Sequence, residues 1–563
     1  MQRFLADERC AHARLVVVTH GGAAAAPDEP VDLGGAAVWG LVRTAQSENP
    51  GRITLLDLTP GTPLTAVPWP ALLAADEPQL ALRQGQVYAP RLARLDGGDG
   101  ADPVGLDPEG TVLVTGGTGD LGGLVARHLV ERHGVRHLVL ASRSGASAPG
   151  APELQEELAA AGARVDLVSC DVADRAAVAQ LLAALPAAHP LTGVVHTAAA
   201  LDDGVIAALD RPRMEKVFRP KADATRHLDE LTRTPGVALF AVFSSASGVL
   251  GSPGQGNYAA ANMTADALVR RRRAAGFPGV SLAWGWWEKV RQGDGLTSGL
   301  STADRQRLAR RGIAPLTPAE GLASFDAALA QDLPVVVPVK LDLAGAARAG
   351  SVPPLLTALA AKGTPVRRVA GGAERASDED LRRHLSALPP AEQERHLQDL
   401  VTGQVATVLG HARAATVNLN EPFTTLGFDS LTAVELRNRL AQAVGLRLPA
   451  TLTFDHPTPL ALARHLHGEL TDTTPDGVEW APGRARQDRG RPGAPRARGP
   501  REDPGHRPAQ VPARAAGHRL RGRAGDDAHR TPPVLVHRGT PALRRPAAGR
   551  VTSGHRTPLS SSR

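Results

Sequence analysis

The segment FSSASGVLGSPGQGNYAAAN, residues 243–262, holds three polar side chains whose spacing suits acid–base chemistry: Ser245, Tyr258 and Asn262. The apolar run before Ser245 reads as a strand that ends at the serine, and the tyrosine opens a helix. Asn262, four residues on, shares the helical face of Tyr258. A free phenol, with pKa ~10, rarely ionises at neutral pH. A nearby ammonium lowers that value and makes a tyrosine a usable proton donor or acceptor. The chain has only five lysines, and position 262 is asparagine, so a Tyr-x-x-x-Lys pair is absent. Lys221, in FRPKADATRHL, lies 37 residues before the tyrosine on a predicted helix.

A second group of residues fits a dinucleotide. The strand TVLVTG runs into GGTGDLGG and then the helix LVARHLVERHG, with Gly117, Gly119 and Gly122 in G-x-G-x-x-G spacing. Such glycines permit a tight turn and bring backbone N–H groups close to a pyrophosphate at the helix N-terminus. About 20 residues beyond the last glycine, an NAD site carries an acid for the ribose 2′-hydroxyl. Here LASRSG places Ser142 and Arg143 instead. A guanidinium suits a 2′-phosphate, which favours NADPH over NADH.

These residues require a sheet to hold them. Apolar runs TVLVTG (111–116), HLVLAS (137–142), RVDLVS (164–169), GVVHTA (193–198), ALFAVFSS (238–245) and VSLAWGW (280–286) alternate with helical patterns. That alternation predicts an α/β fold with a parallel, doubly wound sheet over residues 105–344. Residues 1–104 carry further pieces, RLVVVTHG (14–21), the helical AAVWGLVRTAQSE (36–48) and RITLLDL (52–58), and read as a separate α/β layer. Residues 345–388, rich in Ala, Gly and Pro, read as a linker, and 389–470 as a small helical unit.

Together TGGTGDLG, LASRSG, CDVAD, VVHTAAALDDG, FRPKADATRHL and FSSASGVLGSPGQGNYAAAN resemble the Rossmann-type ketoreductase domain of a modular polyketide synthase. Many short-chain dehydrogenases place the lysine four residues after the tyrosine; the ketoreductases exchange lysine and asparagine. The resemblance implies Tyr258 as general acid, Ser245 as the donor to the substrate carbonyl, Lys221 as tuner of Tyr258 and ligand of the cofactor ribose, and Asn262 in the proton relay. It implies cofactor contacts at Gly116, Gly117, Thr118, Gly119, Leu121, Gly122, Ser142, Arg143, Asp171, Val172 and Ala198 besides Tyr258 and Lys221. The triplet Leu201, Asp202, Asp203 accompanies in this family the D-configured β-hydroxyl; the contrasting type carries Trp eight residues before the tyrosine, where this chain has Leu250. The first region resembles the non-catalytic structural subdomain of these reductases, in truncated form.

GFDSLTAVELRNRL (427–440) joins a loop to an amphipathic helix, with Leu431, Val434, Leu436 and Leu440 as candidate buried positions. Ser430 then lies at the helix N-terminus, where an attached phosphate is favoured. Continued by LPATLTFDHPTPLALARHL, the pattern is similar to acyl carrier domains of the same synthases, which implies 4′-phosphopantetheine on Ser430 and a phosphopantetheinyl transferase as partner. A tethered thioester would meet the reductase at an effective concentration in the millimolar range.

Composition excludes other classes. The 563 residues carry a net charge of +7, yet residues 481–563 alone carry 19 Arg against five acids, leaving the rest at −7. That stretch has no aromatic residue for base stacking and is dense in Pro and Gly, so 471–563 reads as a disordered, possibly frameshifted tail rather than a nucleic-acid site. Two cysteines, Cys10 and Cys170, exclude a disulfide framework and point to a reducing, cytoplasmic setting. No apolar run suits a membrane span, and no metal-ligand or Walker motif is present. His196 reads as a packing residue, and Trp284, Trp286 and Trp287 as the pocket floor. The expected function is reduction of a carrier-bound β-ketoacyl thioester by NADPH alongside other synthase domains. A carrier and scaffold piece with an inactive reductase, and a reductase of free small ketones, are the alternatives.

Overall fold

Every apolar run named above as a strand is one in the computed structural model, which describes residues 1–95 (without 12, 27 and 28), 105–288, 302–348, 352–360, 381–410, 417–471 (without 450) and 534–541. The first region contributes β1 (Leu15–His20), β2 (Ile53–Leu58), β3 (Gln79–Arg83) and β4 (Gln86–Arg94). The first three run parallel, and β4 turns back antiparallel to β3.

The second region contributes β5 (Thr111–Thr115), β6 (His137–Ser142), β7 (Arg164–Ser169), β8 (Leu191–His196), β9 (Leu239–Ser245) and β10 (Val280–Trp284). After them come β11 (Ile313–Ala314), β12 (Val335–Pro338) and β13 (Lys340–Leu341), of which β11 and β13 pair with each other. The order β7-β6-β5-β8-β9-β10-β12 is parallel throughout. The interior strands, buried on both faces, need continuous aliphatic runs, which VLV, LVL and FAVF supply, whereas the edge strand β7 exposes Arg164 and Asp166. The order reverses between β5 and β8. In doubly wound sheets the ligand crevice lies outside the C-terminal strand ends at that point, where Thr115, His196 and Ser245 end their strands.

Two boundaries differ from the sequence expectation. The tail is not wholly without structure: Val534–Pro541 forms β14, antiparallel to both β4 and β12, so that one twelve-stranded sheet runs through both regions. Its VLV run is a local β-former that the Arg- and Pro-rich average concealed. The linker expected at 345–388 is also shorter. Val352, Leu355 and Leu356 are buried against Leu92, Val337 and Val339, and Leu385 belongs to the carrier core. A few aliphatic anchors suffice to fasten a segment of otherwise loop-like composition.

The carrier packs the helices Pro390–Leu409, Ser430–Val444 and Pro459–Thr471 around Leu397, Val401, Val405, Leu462 and Leu466. Leu436 and Leu440 are buried in that core as expected, whereas Leu431 and Val434 are only half-buried.

The two α/β regions are joined where the helix Leu33–Glu48 crosses the helix Gly256–Ala274. A Cβ on Gly40 would stand 2.4 Å from the Ala259 carbonyl oxygen and 2.9 Å from Ala260 Cα. Gly40→Ala is therefore expected to destabilise the chain by roughly 1–3 kcal/mol through overpacking. Gly403→Ala, inside a helix with nothing within 4 Å, is expected to stabilise by up to about 1 kcal/mol. Urea unfolding of both variants checks the opposite signs.

Candidate active site

The turn after β5 is shaped for a ligand that approaches backbone. Gly116 holds φ +73°, and a Cβ there would lie 2.8 Å from the Ala198 nitrogen and from Thr197 Oγ1. A Cβ on Gly122 would come within 2.2 Å of the Gly116 carbonyl oxygen, so only glycine lets the helix Asp120–Glu131 start so close to the turn. Gly119 is the N-cap and provides no side-chain cap to that helix, leaving its first-turn amides for an anion. Ala198 borders the same turn from the end of β8, and Thr118 and Leu121 lie in the turn and in the first helical turn.

Past β6, Ser142 Oγ accepts from the Gly145 amide at 3.0 Å, which shapes the loop, while the Arg143 side chain is exposed. Arg143 makes no side-chain ion pair or hydrogen bond among the described residues. Asp171 pairs with Arg219 at 3.4 Å, and Val172 is buried against the sheet. These residues fit a dinucleotide: a glycine cradle and open helix amides, with an exposed guanidinium after the second strand.

Ser245 ends β9 and accepts from the Ser247 amide at 3.1 Å as the next helix begins. Tyr258 and Asn262 lie one turn apart, with Asn262 Nδ2 donating to the Tyr258 carbonyl at 2.9 Å. The Tyr258 phenol is raised above its ordinary pKa, chiefly by burial; hydrogen bonding with Asn262 and Ser245 pulls it down, and the Asp203 charge pushes it up. This corrects the expectation of a phenol lowered by an ammonium. Lys221 Nζ instead donates to the Phe243 carbonyl of β9 at 2.7 Å. Tyr258 is thus held protonated at neutral pH, as a proton donor must be.

Lys221 sits in a wide π-turn, Arg219–Asp223, and is 1% exposed. Burial pushes its pKa down to about 7, opposed by the Asp266 carboxylate. Asp266, two turns past Tyr258, was not singled out from sequence. It accepts from Ser281 Oγ at 2.6 Å, and burial raises its pKa. His196 Nδ1 meets Thr115 Oγ1 at 2.6 Å, and burial, then the Lys221 charge, keeps the ring neutral. A fully buried neutral imidazole at the strand end accords with packing. Trp284 and Trp287 do not form a pocket floor. Both are buried in the main core with Leu316 and Phe325, and Trp286 packs with a different cluster.

The loop with Leu201, Asp202 and Asp203 divides its acids between two tasks. Asp202 is engaged by Arg213 at 3.0 Å and Lys216 at 3.1 Å, while Asp203 accepts from Gln255 at 3.1 Å, beside the start of the tyrosine helix. Asn257 Nδ2 ties the two together by donating to the Asp202 carbonyl at 2.8 Å. Glu48 of the first region reaches both loops: its carboxylate accepts from Ile206 N at 2.8 Å and Gly254 N at 2.9 Å. Nothing local in QSENP announces that role, because its partners lie 158 and 206 residues away.

Domain-family profiles match along the chain: the KR domain over residues 110–289, the Rossmann fold domain of polyketide synthase extender module SpnB over 1–92, and the phosphopantetheine attachment site over 399–466. A solved structure of A-type ketoreductases from a modular polyketide synthase is 40% identical, with TM-score 0.56, covering 61% of this chain and 73% of that one. The chain belongs to the ketoreductases of modular polyketide synthases. The ketoreductase from the first module of phoslactomycin biosynthesis in Streptomyces sp. HK803 is 36% identical, with TM-score 0.55, over 62% of this chain and 81% of that one. The spectinabilin polyketide synthase system protein NorA′ of Streptomyces orinoci is 53% identical over 484 residues. That alignment takes in 84% of this chain but 13% of that protein. The pikromycin polyketide synthase component PikAII of Streptomyces venezuelae is 53% identical over 68% of this chain and 10% of its own length. The chain therefore spans a small part of the synthase proteins it matches. No helix among the described residues is long and apolar enough to cross a membrane.

This polyketide synthase ketoreductase is followed by its phosphopantetheine attachment domain, in which Ser430 is the exposed first residue of the helix Ser430–Val444. Asp429 caps that helix, accepting from Thr432 N at 2.7 Å and Leu431 N at 3.0 Å. The serine hydroxyl is thereby presented on a fixed helix end.

Lys221 gives the site a pH signature. Its folded pKa, about 7, lies below the ~10.4 of an unfolded lysine. Between those values the unfolded chain holds a proton that the folded chain has released, so stability rises with pH in that window and the burial penalty is fully present below it. Lys221→Met is expected to lack this rise, which amounts to a few kcal/mol in order of magnitude. Denaturant unfolding of both proteins at pH 6, 8 and 10 measures it; equal slopes would show that Lys221 keeps its charge.

Proposed function

We propose that the chain reduces a β-ketoacyl thioester, held on 4′-phosphopantetheine at Ser430, to the β-hydroxyacyl thioester with NADPH, giving the D-configured hydroxyl. The observation that carries this reading is the meeting of Tyr258, Ser245 and Asn262 at the C-terminal ends of the central strands, beside buried Lys221 and the Gly116–Gly122 cradle. A reduced nicotinamide bound there supplies a hydride to the β-carbon. The chain's own residues do the rest. Ser245 Oγ donates to the carbonyl oxygen and orients it, and Tyr258 delivers its proton to that oxygen as the C=O π bond becomes C–O–H. Lys221, held on the Phe243 carbonyl, binds the ribose. Asn262 links the phenol to solvent for reprotonation. Arg143 reads the 2′-phosphate, and Asp203 with Gln255 sets the face of approach.

The thioester is proposed to come from upstream synthase domains, after a phosphopantetheinyl transferase has modified Ser430. Wild type is expected to oxidise NADPH with a β-ketoacyl N-acetylcysteamine thioester. Tyr258→Phe should slow this roughly 10²–10⁴-fold, with a D-configured product from wild type on chiral chromatography. No oxidation by wild type, with Ser430 still loadable, would favour the scaffold reading. Arg143→Ala should bring the KM for NADPH up toward that for NADH, as expected on losing a charge-assisted phosphate contact of about 1.5–3 kcal/mol. An unchanged NADPH preference would place the 2′-phosphate elsewhere.

A further inference from the structure

Resting on that reductase reading, we infer that one face of the helix Ser430–Val444, carrying Leu431, Glu435 and Asn438, is the docking surface that presents the carrier's substrate arm to its own reductase. The spacing i, i+4, i+7 puts the three on one side of the helix. Each meets a different part of the reductase. A Cβ on Gly254 would lie 3.2 Å from Leu431 Cδ2, and Gly254, with φ +82°, is four residues before Tyr258, at most ~15 Å of chain. Glu435 is held between two arginines of the helix Thr302–Arg310: Arg307 Nε at 2.9 Å and Arg310 on its other oxygen. Asn438 Nδ2 donates to the Glu48 carbonyl at 3.0 Å, and Arg437 donates to the same oxygen.

Two features separate these contacts from casual surface touches. The Glu435, Arg307 and Arg310 side chains are only 15, 14 and 24% exposed, so their attraction is less screened than that of an open surface pair. Glu48, whose carbonyl the carrier reads, is also the residue whose carboxylate holds the Gly254 and Ile206 amides. Two of the three contacts therefore fall on Gly254 and on the residue that holds the loops bordering Tyr258 and Asp203. Meanwhile Ser430, next to Leu431, stays exposed and free to carry the arm.

The test compares one substrate in two forms on the full chain: the free N-acetylcysteamine β-ketothioester, and the same acyl group loaded on phosphopantetheine at Ser430. Rates are normalised to loading measured by mass. Glu435→Arg is expected to slow reduction of the tethered substrate about 10-fold in single turnover, the order of one lost partly buried charge pair, and to leave the free thioester rate unchanged. Arg307→Glu with Arg310→Glu in that background should restore the tethered rate, which a merely misfolded carrier could not do. A tethered rate unaffected by Glu435→Arg, with free turnover intact, overturns the docking surface and makes the contact a resting pose. Failure of wild type to reduce even the free thioester overturns the reductase reading itself, and the docking with it.

Discussion

The helix Leu33–Glu48 lies so close against the helix Gly256–Ala274 that Gly40 has no room for a methyl group beside the Ala259 carbonyl. Several neighbours of Tyr258 are held from that crossing. Arg43, on the same helix, donates to the Gly248 carbonyl at 3.0 Å and is drawn toward Asp266, and Glu48 at its end holds the amides of Gly254 and Ile206. The first region thus supports the tyrosine helix from behind and holds the backbone at Gly248, Gly254 and Ile206. A shift at this crossing would reach Tyr258 directly, since Ala259 and Ala260, against which Gly40 packs, follow it on the same helix.

Behind Ser245 and Tyr258 lies a set of buried charges that a core designed only for stability would lack. Lys221, Asp266 and Arg43 are all buried, and burial moves each toward its neutral form: Lys221 to about 7, Arg43 to about 10, and Asp266 upward. Their mutual attraction offsets only part of that desolvation. Such an arrangement costs folding free energy, and it leaves a lysine near neutrality held on the Phe243 carbonyl.

The parts legible in the sequence were those whose cause is local. Apolar runs became strands within a residue or two, and in the interior of the sheet burial on both faces requires such continuous aliphatic composition. The glycine cradle was legible for the same reason: φ +73° at Gly116 and the contact at Gly122 exclude a side chain. The tyrosine–asparagine pair followed from helical spacing alone. What stayed hidden depends on partners far along the chain. Glu48, Asp266 and the Leu431 contact have no local signature, and β14 was lost in the average of an Arg- and Pro-rich tail. The tyrosine pKa was misjudged because sequence names the charges but not the depth of burial, and burial outweighs the hydrogen bonds here.

The carrier contacts also make sense of how loosely the two domains need to hold each other. A tethered substrate already meets the site at an effective concentration in the millimolar range, so a strong interface would add little to capture and would slow departure to the next domain. What remains useful is orientation. One aliphatic side chain on Gly254, one carboxylate between two arginines, and two donors on a single carbonyl define a direction of approach. Charge pairs suit this task, since they discriminate among partners and steer encounter more than they tighten the complex. The same few contacts fall on Glu48, which ties carrier recognition to the residue that already disciplines the active-site loops.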